Sequence, residues 1–279
     1  MDGNALRDEL LEALRQRIEA AGSPPICLAT VLVGDDPPSQ RYVRSKQRKA
    51  TEIGMRPRHV DLPATATQAE VEATVAGLAA DPEVHGILVQ LPLPAGLDPD
   101  AVIDLIPPEK DVDGLTERSM GRLVRGVPGL VGCTPLGVMR LLERYGVETA
   151  GRRAVVVGRS QLVGLPLSLL LARKGVDATV TMAHSRTADM VAVCREADIV
   201  VAAAGQAHMI TAEHIKPGAA VIDVGQSRTT AGVVGDVEPV GVAEVAGWLT
   251  PNPGGTGPMT IACLMENTVT AATLQGVVV

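Results

Sequence analysis

The chain has 279 residues, enough for two compact domains, and a formal net charge of -7. With 46% hydrophobic residues, 20% charged residues and 29 glycines, it has the composition of an ordinary globular protein, not a disordered or fibrous one. There is no Phe, one Trp (Trp248) and two Tyr (Tyr42, Tyr145), so the aromatic platform that holds single-stranded nucleic acid is missing, and the negative balance excludes a general polyanion binder while leaving room for a local phosphate pocket.

The four cysteines, Cys27, Cys133, Cys194 and Cys263, form no Cys-x-x-Cys pair, which points to free thiols in a reducing cytosol. The first 22 residues are charged throughout and lack the apolar core of a signal peptide, and no run approaches the roughly 20 apolar residues of a membrane span. The expectation is a cytoplasmic protein with neither a membrane nor a nucleic-acid partner.

In chain order, Leu6, Leu10, Leu14 and Ile18 predict a helix that Gly22, Pro24 and Pro25 end. ICLATVLVG (26–34) reads as a strand covered on both faces, and 39–54 as a helix carrying Tyr42 and Lys46. RHVDLP, TQAEVEATVAGLAA, VHGILVQLPLP and PDAVIDLIPP then alternate strand and helix, which implies a parallel sheet with helical crossovers. A glycine-punctuated stretch leads to Thr134-Pro135, read as the N-cap and first residue of a further helix. Beyond Gly151 come strand AVVVG, helix LPLSLLLARKG, strand ATVTMAH, helix TADMVAVCREA and strands DIVVAAAG and GAAVIDVG, a doubly wound nucleotide-domain pattern; a Pro/Gly loop then feeds a last helix.

Several motifs carry possible chemistry. Tyr42 and Lys46 stand one helical turn apart, which fits either an acid/base couple or a solvated basic face. The order of motifs rules out the Tyr/Lys pair of short-chain dehydrogenases, because here the pair precedes the nucleotide turn by more than a hundred residues. Gln90 is the lone polar residue at the end of an apolar strand, where an open α/β sheet puts ligands, and a satisfied buried amide is the alternative.

Asp111 and Asp113 are read on one side of an extended segment; the calcium-loop pattern is absent, and a turn-forming role is the rival. GRSQLVGLP, with Gly158, Arg159 and Gly164, departs from G-x-G-x-x-G but opens a helix after a strand, where free N–H groups and a positive dipole end suit a phosphate. His184-Ser185-Arg186 ends the next strand, where Ser and Arg in place of an acid suit a 2′-phosphate, so the site reads as NADP-type. The five histidines show no ligand spacing, and no catalytic metal is expected.

GDDPPSQRYVRSK, VQLPLP, PEKDVDG, GCTPLGV, VVVGRSQLVGLP, IKPGAAVIDVG, GDV and PGGTGPMT, collinear from about residue 2 to the last helix, resemble the bifunctional methylenetetrahydrofolate dehydrogenase/methenyltetrahydrofolate cyclohydrolase family. The resemblance implies an α/β protein of two domains around a cleft: a folate-binding catalytic domain (1–130, with returning segment 258–279) and a Rossmann-like NADP-binding domain (131–257), paired as a homodimer through the latter.

It implies hydride transfer from 5,10-methylenetetrahydrofolate to NADP+, then hydrolysis of the methenyl product to 10-formyltetrahydrofolate, with polyglutamated folate as the natural form. By the same resemblance Lys46 is the catalytic lysine, Tyr42 its partner, Gln90 the glutamine beside it and Asp113 the carboxylate that grips the pterin, with Gly257 and Pro258 over the folate. Gly158, Arg159, Ser160, Gly164, Ser185, Arg186, Thr134 and Gln226 fall on the cofactor side. Gln226 departs from the Ile usual in the family.

Two alternatives share parts of this pattern. A shikimate-type dehydrogenase has the architecture but not Tyr-x-x-x-Lys with VQLPLP and PGGTGPMT. A non-catalytic folate- or nucleotide-binding relative would be expected to lack Lys46 or Asp113, and both are present.

Overall fold

The computed structural model describes residues 1–230 and 232–279. Its elements begin with α1 (Gly3–Ala20), β1 (Leu28–Val33), α2 (Pro37–Glu52), β2 (Arg58–Leu62), α3 (Gln68–Ala80), β3 (Gly86–Val89), α4 (Pro99–Ile103) and α5 (Glu117–Val124). The chain continues with α6 (Cys133–Arg144), β4 (Arg153–Val157), α7 (Gly164–Ala172), β5 (Thr179–Ala183), α8 (Met190–Arg195), β6 (Ile199–Ala202) and β7 (Ala220–Asp223). Last come β8 (Ser227–Thr229), β9 (Gly232–Val234), α9 (Pro239–Val245), β10 (Trp248–Leu249) and α10 (Thr256–Leu274).

Two compact units result: Glu9–Cys133 with Ile261–Val279, and Met1–Asp8 with Thr134–Thr260. The first is built on a parallel sheet of order β2-β1-β3, with Val31 facing Val60 on one side and Val89 on the other. Every residue of β1 and β3 is buried, as expected for a parallel sheet covered on both faces. Its core joins Ala29, Val31 and Val33 to Val71, Val75 and Leu78 of α3 and to Val102 of α4.

Asp36 caps α2 by accepting the Ser39 N–H at 3.0 Å, with Pro37 at the first helical position, and α3 opens with a reciprocal capping box between Thr67 and Glu70. The C-terminal part of α10 belongs to this unit. Gln275 Nε2 donates to the His85 carbonyl at 2.7 Å, and Asn267 Nδ2 donates to the carbonyls of Val112 and Val131, both at 2.8 Å.

The second unit has five parallel strands in the order β10-β7-β6-β4-β5. Helical layers bury both faces: Val138, Leu142, Leu167 and Leu171 cover one, and Cys194, Ile210, Ile215 and Val242 the other. The chain leaves β4 for β5 on one side and returns to β6 on the other, so β4 and β6 flank a topological switch point.

The first eight residues, which the sequence reading assigned with the rest of the N-terminus to the first domain, group with the second unit. The Met1 ammonium donates to the Leu249 carbonyl at 2.5 Å, the Asp2 N–H to Tyr145 Oη at 2.7 Å, and the Gly3 N–H to the Gly254 carbonyl at 2.9 Å.

The sequence reading also needs local correction. Helix α6 starts at Cys133, so Thr134 lies inside its first turn and is not its cap; its hydroxyl meets Thr260 Oγ1 at 3.0 Å. The stretch read only as glycine-punctuated contains α5, and residues 227–234 include the two antiparallel strands β8 and β9, too short to leave an alternation signal.

Leu171 is fully buried on α7 beneath the five-stranded sheet. Leu171→Ala is expected to cost about 2–5 kcal/mol, read as a lower urea midpoint, whereas Leu171→Met should cost under about 1.5 kcal/mol.

Candidate active site

The buried stripe of α2 consists of Ser39, Val43, Lys46 and Ala50, spaced four, three and four residues apart. Lys46 therefore occupies a core position and is only 9% exposed. Tyr42, one turn earlier, is 47% exposed, so the pair that shares a helical spacing does not share an environment. Lys46 Nζ donates to Gln90 Oε1 at 3.0 Å.

Gln90 follows directly on β3. Its backbone N–H donates to the Val31 carbonyl at 2.9 Å and its Nε2 to the Leu91 carbonyl at 2.7 Å, so the amide is oriented at both ends and presents oxygen to the lysine. Burial pushes the Lys46 pKa down, against the opposing pull of Asp113 and of Cys133.

Residues 111–114 form a turn and not the extended segment read from the sequence: the Gly114 N–H donates to the Asp111 carbonyl at 3.1 Å. The turn separates the two aspartates. Asp111 is buried and structural, its carboxylate accepting the Leu115 N–H at 3.2 Å and the Thr116 N–H at 2.9 Å. Asp113 faces the lysine's surroundings. Burial pushes its carboxyl up, opposed by the Lys46 charge and by hydrogen bonds from the Cys133 thiol and backbone at the start of α6.

Cys133, which the sequence reading treated only as a free thiol, thus lines the candidate site beside Asp113. Burial and the neighbouring carboxylate hold its pKa well above the ordinary range, so it acts as a neutral donor. Asn267, which lies 3.7 Å from Cys133 Sγ through Nδ2, is the second residue missed. The last helix also carries Glu266 and several threonines, so Asn267 did not stand out in the sequence.

In the five-stranded unit, the nucleotide-side candidates gather at the carboxyl ends of β4 and β5. Gly158 follows β4 with φ +126, and a Cβ there would collide with the Ala203 carbonyl after β6; one on Gly164 would strike the Gly158 carbonyl. These glycines let the β4–α7 turn close onto the switch point. No side chain caps the first turn of α7, and Ser160 Oγ accepts the Val163 N–H at 3.2 Å, so the turn is shaped and its positive end stays open to an anion.

Arg159 and Ser160 are exposed beside it, and Ser185 and Arg186 are exposed just past the neighbouring strand. This arrangement fits a dinucleotide phosphate and a 2′-phosphate. Gln226 is exposed with its amide beside Gly257, where a Cβ would lie 3.5 Å from Nε2; Pro258 follows within α10.

The two halves of the chain match two family models, tetrahydrofolate dehydrogenase/cyclohydrolase, catalytic domain, over residues 1–113, and its NAD(P)-binding domain over residues 132–276. The bifunctional protein FolD 2 of Frankia alni is 54% identical over 98% of this chain and 95% of its own length. The chain belongs to the tetrahydrofolate dehydrogenase/cyclohydrolase family.

Among solved structures of the family, the bifunctional enzyme of Campylobacter jejuni superposes with a TM-score of 0.95 at 41% identity, covering 98% of each chain. The Trypanosoma brucei dehydrogenase-cyclohydrolase, described as complexed with NADP cofactor and inhibitor, gives 0.92 at 40% identity over 98% of this chain and 97% of its own. The family's NAD(P)-binding domain coincides with the five parallel strands, and the shikimate-type alternative is not favoured.

A buried lysine whose charged form is disfavoured weakens the fold. Because the folded pKa lies below the unfolded one, the unfolded chain binds more protons between the two values, and stability rises with pH across that interval. Lys46→Met is expected to melt at the same or a higher temperature than wild type near neutrality, with the difference shrinking as pH climbs into the ordinary lysine range.

Proposed function

We propose that this chain is a bifunctional one-carbon folate enzyme, oxidising 5,10-methylenetetrahydrofolate with NADP+ and hydrolysing the methenyl product to 10-formyltetrahydrofolate. The observation that carries the reading is the buried Lys46–Gln90 contact at 3.0 Å, in a chain that belongs to this family over nearly its whole length.

NADP+, when bound, accepts the hydride. Gly158, Ser160, Gly164 and the open end of α7 hold its phosphates, Arg159, Ser185 and Arg186 its 2′-phosphate, and Thr134 and Gln226 complete the cofactor side. Asp113 grips the amino and ring N–H groups of the pterin, and Gly257 and Pro258 are the further residues that the motif resemblance assigns to the folate. Loss of the hydride from the methylene carbon is driven by adjacent nitrogen lone pairs, so this step needs orientation more than it needs a base.

Hydrolysis is different. Water adds to the methenyl carbon and loses one proton to give a carbinol. The carbinol then loses its second proton as the formyl C=O forms and the bond to the ring nitrogen breaks, and the nitrogen takes up one proton, so one proton is released overall. A lysine with a depressed pKa supplies the neutral amine that receives the water's proton and returns one to the departing nitrogen. Gln90 orients that amine through its carbonyl oxygen, and Tyr42 relays a proton from one turn away. Water attack needs no nucleotide, so the two reactions are separable by experiment.

Finer parts of the reading are that the substrate is polyglutamated, that two copies pair through the nucleotide-binding unit, and that the enzyme is cytoplasmic. The first two rest on the motif resemblance and the third on the four cysteines read as free thiols; among the described residues no helix is long and apolar enough to cross a membrane.

Following both products in one reaction tests the proposal. Lys46→Met should lower hydrolysis by a factor on the order of 10² to 10⁴, leaving measurable NADP-dependent oxidation and accumulating methenyl-folate. Parallel loss of both activities would remove the selective role. In wild type the hydrolysis rate should rise with pH along a one-proton limb whose midpoint lies below the ordinary lysine range, because burial favours the neutral amine. Charge-assisted bonds to the 2′-phosphate contribute on the order of 1.5–3 kcal/mol, so Arg159→Ala should reduce kcat/KM with NADP by tenfold or more and change that with NAD far less.

A further inference from the structure

Behind the switch point lies a second pair of carboxylates that the proposed mechanism does not use. Asp223 ends β7 and is 2% exposed; Asp236 follows β9 and is fully buried. Asp223 Oδ1 accepts the Asp236 N–H at 2.9 Å and its Oδ2 the Val237 N–H at 3.3 Å. Asp236 Oδ2 in turn accepts two successive N–H groups, from Ala204 at 2.7 Å and Gly205 at 2.9 Å. Among the described residues, Asp236 Oδ1 has no hydrogen-bond partner.

Two glycines pack closely on these carboxylates: a Cβ on Gly225 would collide with that of Asp236, and one on Gly235 with that of Asp223. Segment 235–238 is further zipped to the loop after β6, the Ile210 N–H donating to the Asp236 carbonyl at 3.0 Å and the Glu238 N–H to the Ile210 carbonyl at 2.8 Å.

A buried carboxylate with one oxygen unpartnered is a costly way to brace a loop for stability alone, since burying an unsatisfied charged atom opposes folding. What it holds is informative. Ala204 and Gly205 follow immediately on Ala203, whose carbonyl packs against Gly158 at the switch point. Two charge-assisted bonds to one oxygen fix both peptide planes of that loop.

The strand order gives the loop a place along a dinucleotide. The residues suited to the 2′-phosphate end β5, the phosphate-binding turn sits over β4, and β6 lies on the far side of β4, so the nicotinamide half falls over the end of β6. We infer that Asp236 is a positioning residue for the nicotinamide half of NADP, acting through the Ala203–Gly205 backbone it anchors. The inference rests on the cofactor reading given above.

Calorimetry with two probes separates this from general bracing. NADP spans the whole site, whereas 2′,5′-ADP carries only the adenosine half. Asp236→Ala should weaken NADP binding about tenfold and leave 2′,5′-ADP within twofold of wild type, with hydrolysis of methenyl-folate measured without nucleotide within about threefold. Asp236→Asn keeps an acceptor oxygen for the two N–H groups and should fall between wild type and Asp236→Ala; it also serves as the decisive variant if the alanine form melts below the assay temperature. Equal weakening of both probes, unchanged NADP binding, or loss of hydrolysis in step with NADP affinity would each overturn the assignment. A wild-type chain that binds neither probe would overturn the cofactor reading itself.

Discussion

The candidate chemistry of this chain depends on one amine kept out of water. Lys46 occupies a position in the buried stripe of α2 where packing calls for an apolar residue, and the fold accommodates it with an oriented amide from Gln90 and a carboxyl from Asp113 nearby. The accommodation is partial, because desolvation outweighs the opposite charge and the lysine's pKa falls. An exposed lysine would be fully protonated near neutrality and could not act as a base. A lysine tightly paired in water would be worse still, since an opposite charge raises its pKa.

The supporting residues follow from that constraint. Gln90 needs a fixed carbonyl, and it has one because its own N–H continues the β3 ladder and its Nε2 is tied to the next residue's carbonyl. Asp113 needs to stay close without neutralising the effect of burial, and the neutral Cys133 thiol and the start of α6 share its charge. The turn at 111–114 lets Asp111 brace the backbone while Asp113 faces the site. The nucleotide side shows the same division of labour: Gly158 and Gly164 allow close backbone approach, exposed Arg159 and Arg186 offer charge, and a buried carboxylate lattice stiffens the loop after β6.

Much of the fold was legible in the chain because it is written in local patterns. Nearly unbroken apolar runs such as 28–33 and 154–157 suit covered parallel strands, and helical patterns between them imply crossovers. The elements that escaped notice, α5 and the β8 and β9 strands, are short and exposed on much of their surface, and glycines such as Gly121 and Gly232 fall within them and read as loop. Thr134 misled because Thr-Pro is a sound cap signal in isolation, whereas α6 starts one residue earlier and turns that hydroxyl toward Thr260.

The sequence by itself determined the fold class, the order of motifs and the candidate residue types, since collinear motifs and residue chemistry are properties of the chain. It could show that Tyr42 and Lys46 stand a helical turn apart, which left both an acid/base couple and a solvated basic face open. Only the tertiary structure decided that the lysine is buried and the tyrosine exposed, that Gln90 reaches the amine across 44 residues of chain, that Asn267 meets Cys133, and that Asp236 anchors the loop after β6. The reason is physical: burial and hydrogen-bond partnership are set by what packs from distant segments, and no local pattern carries that information.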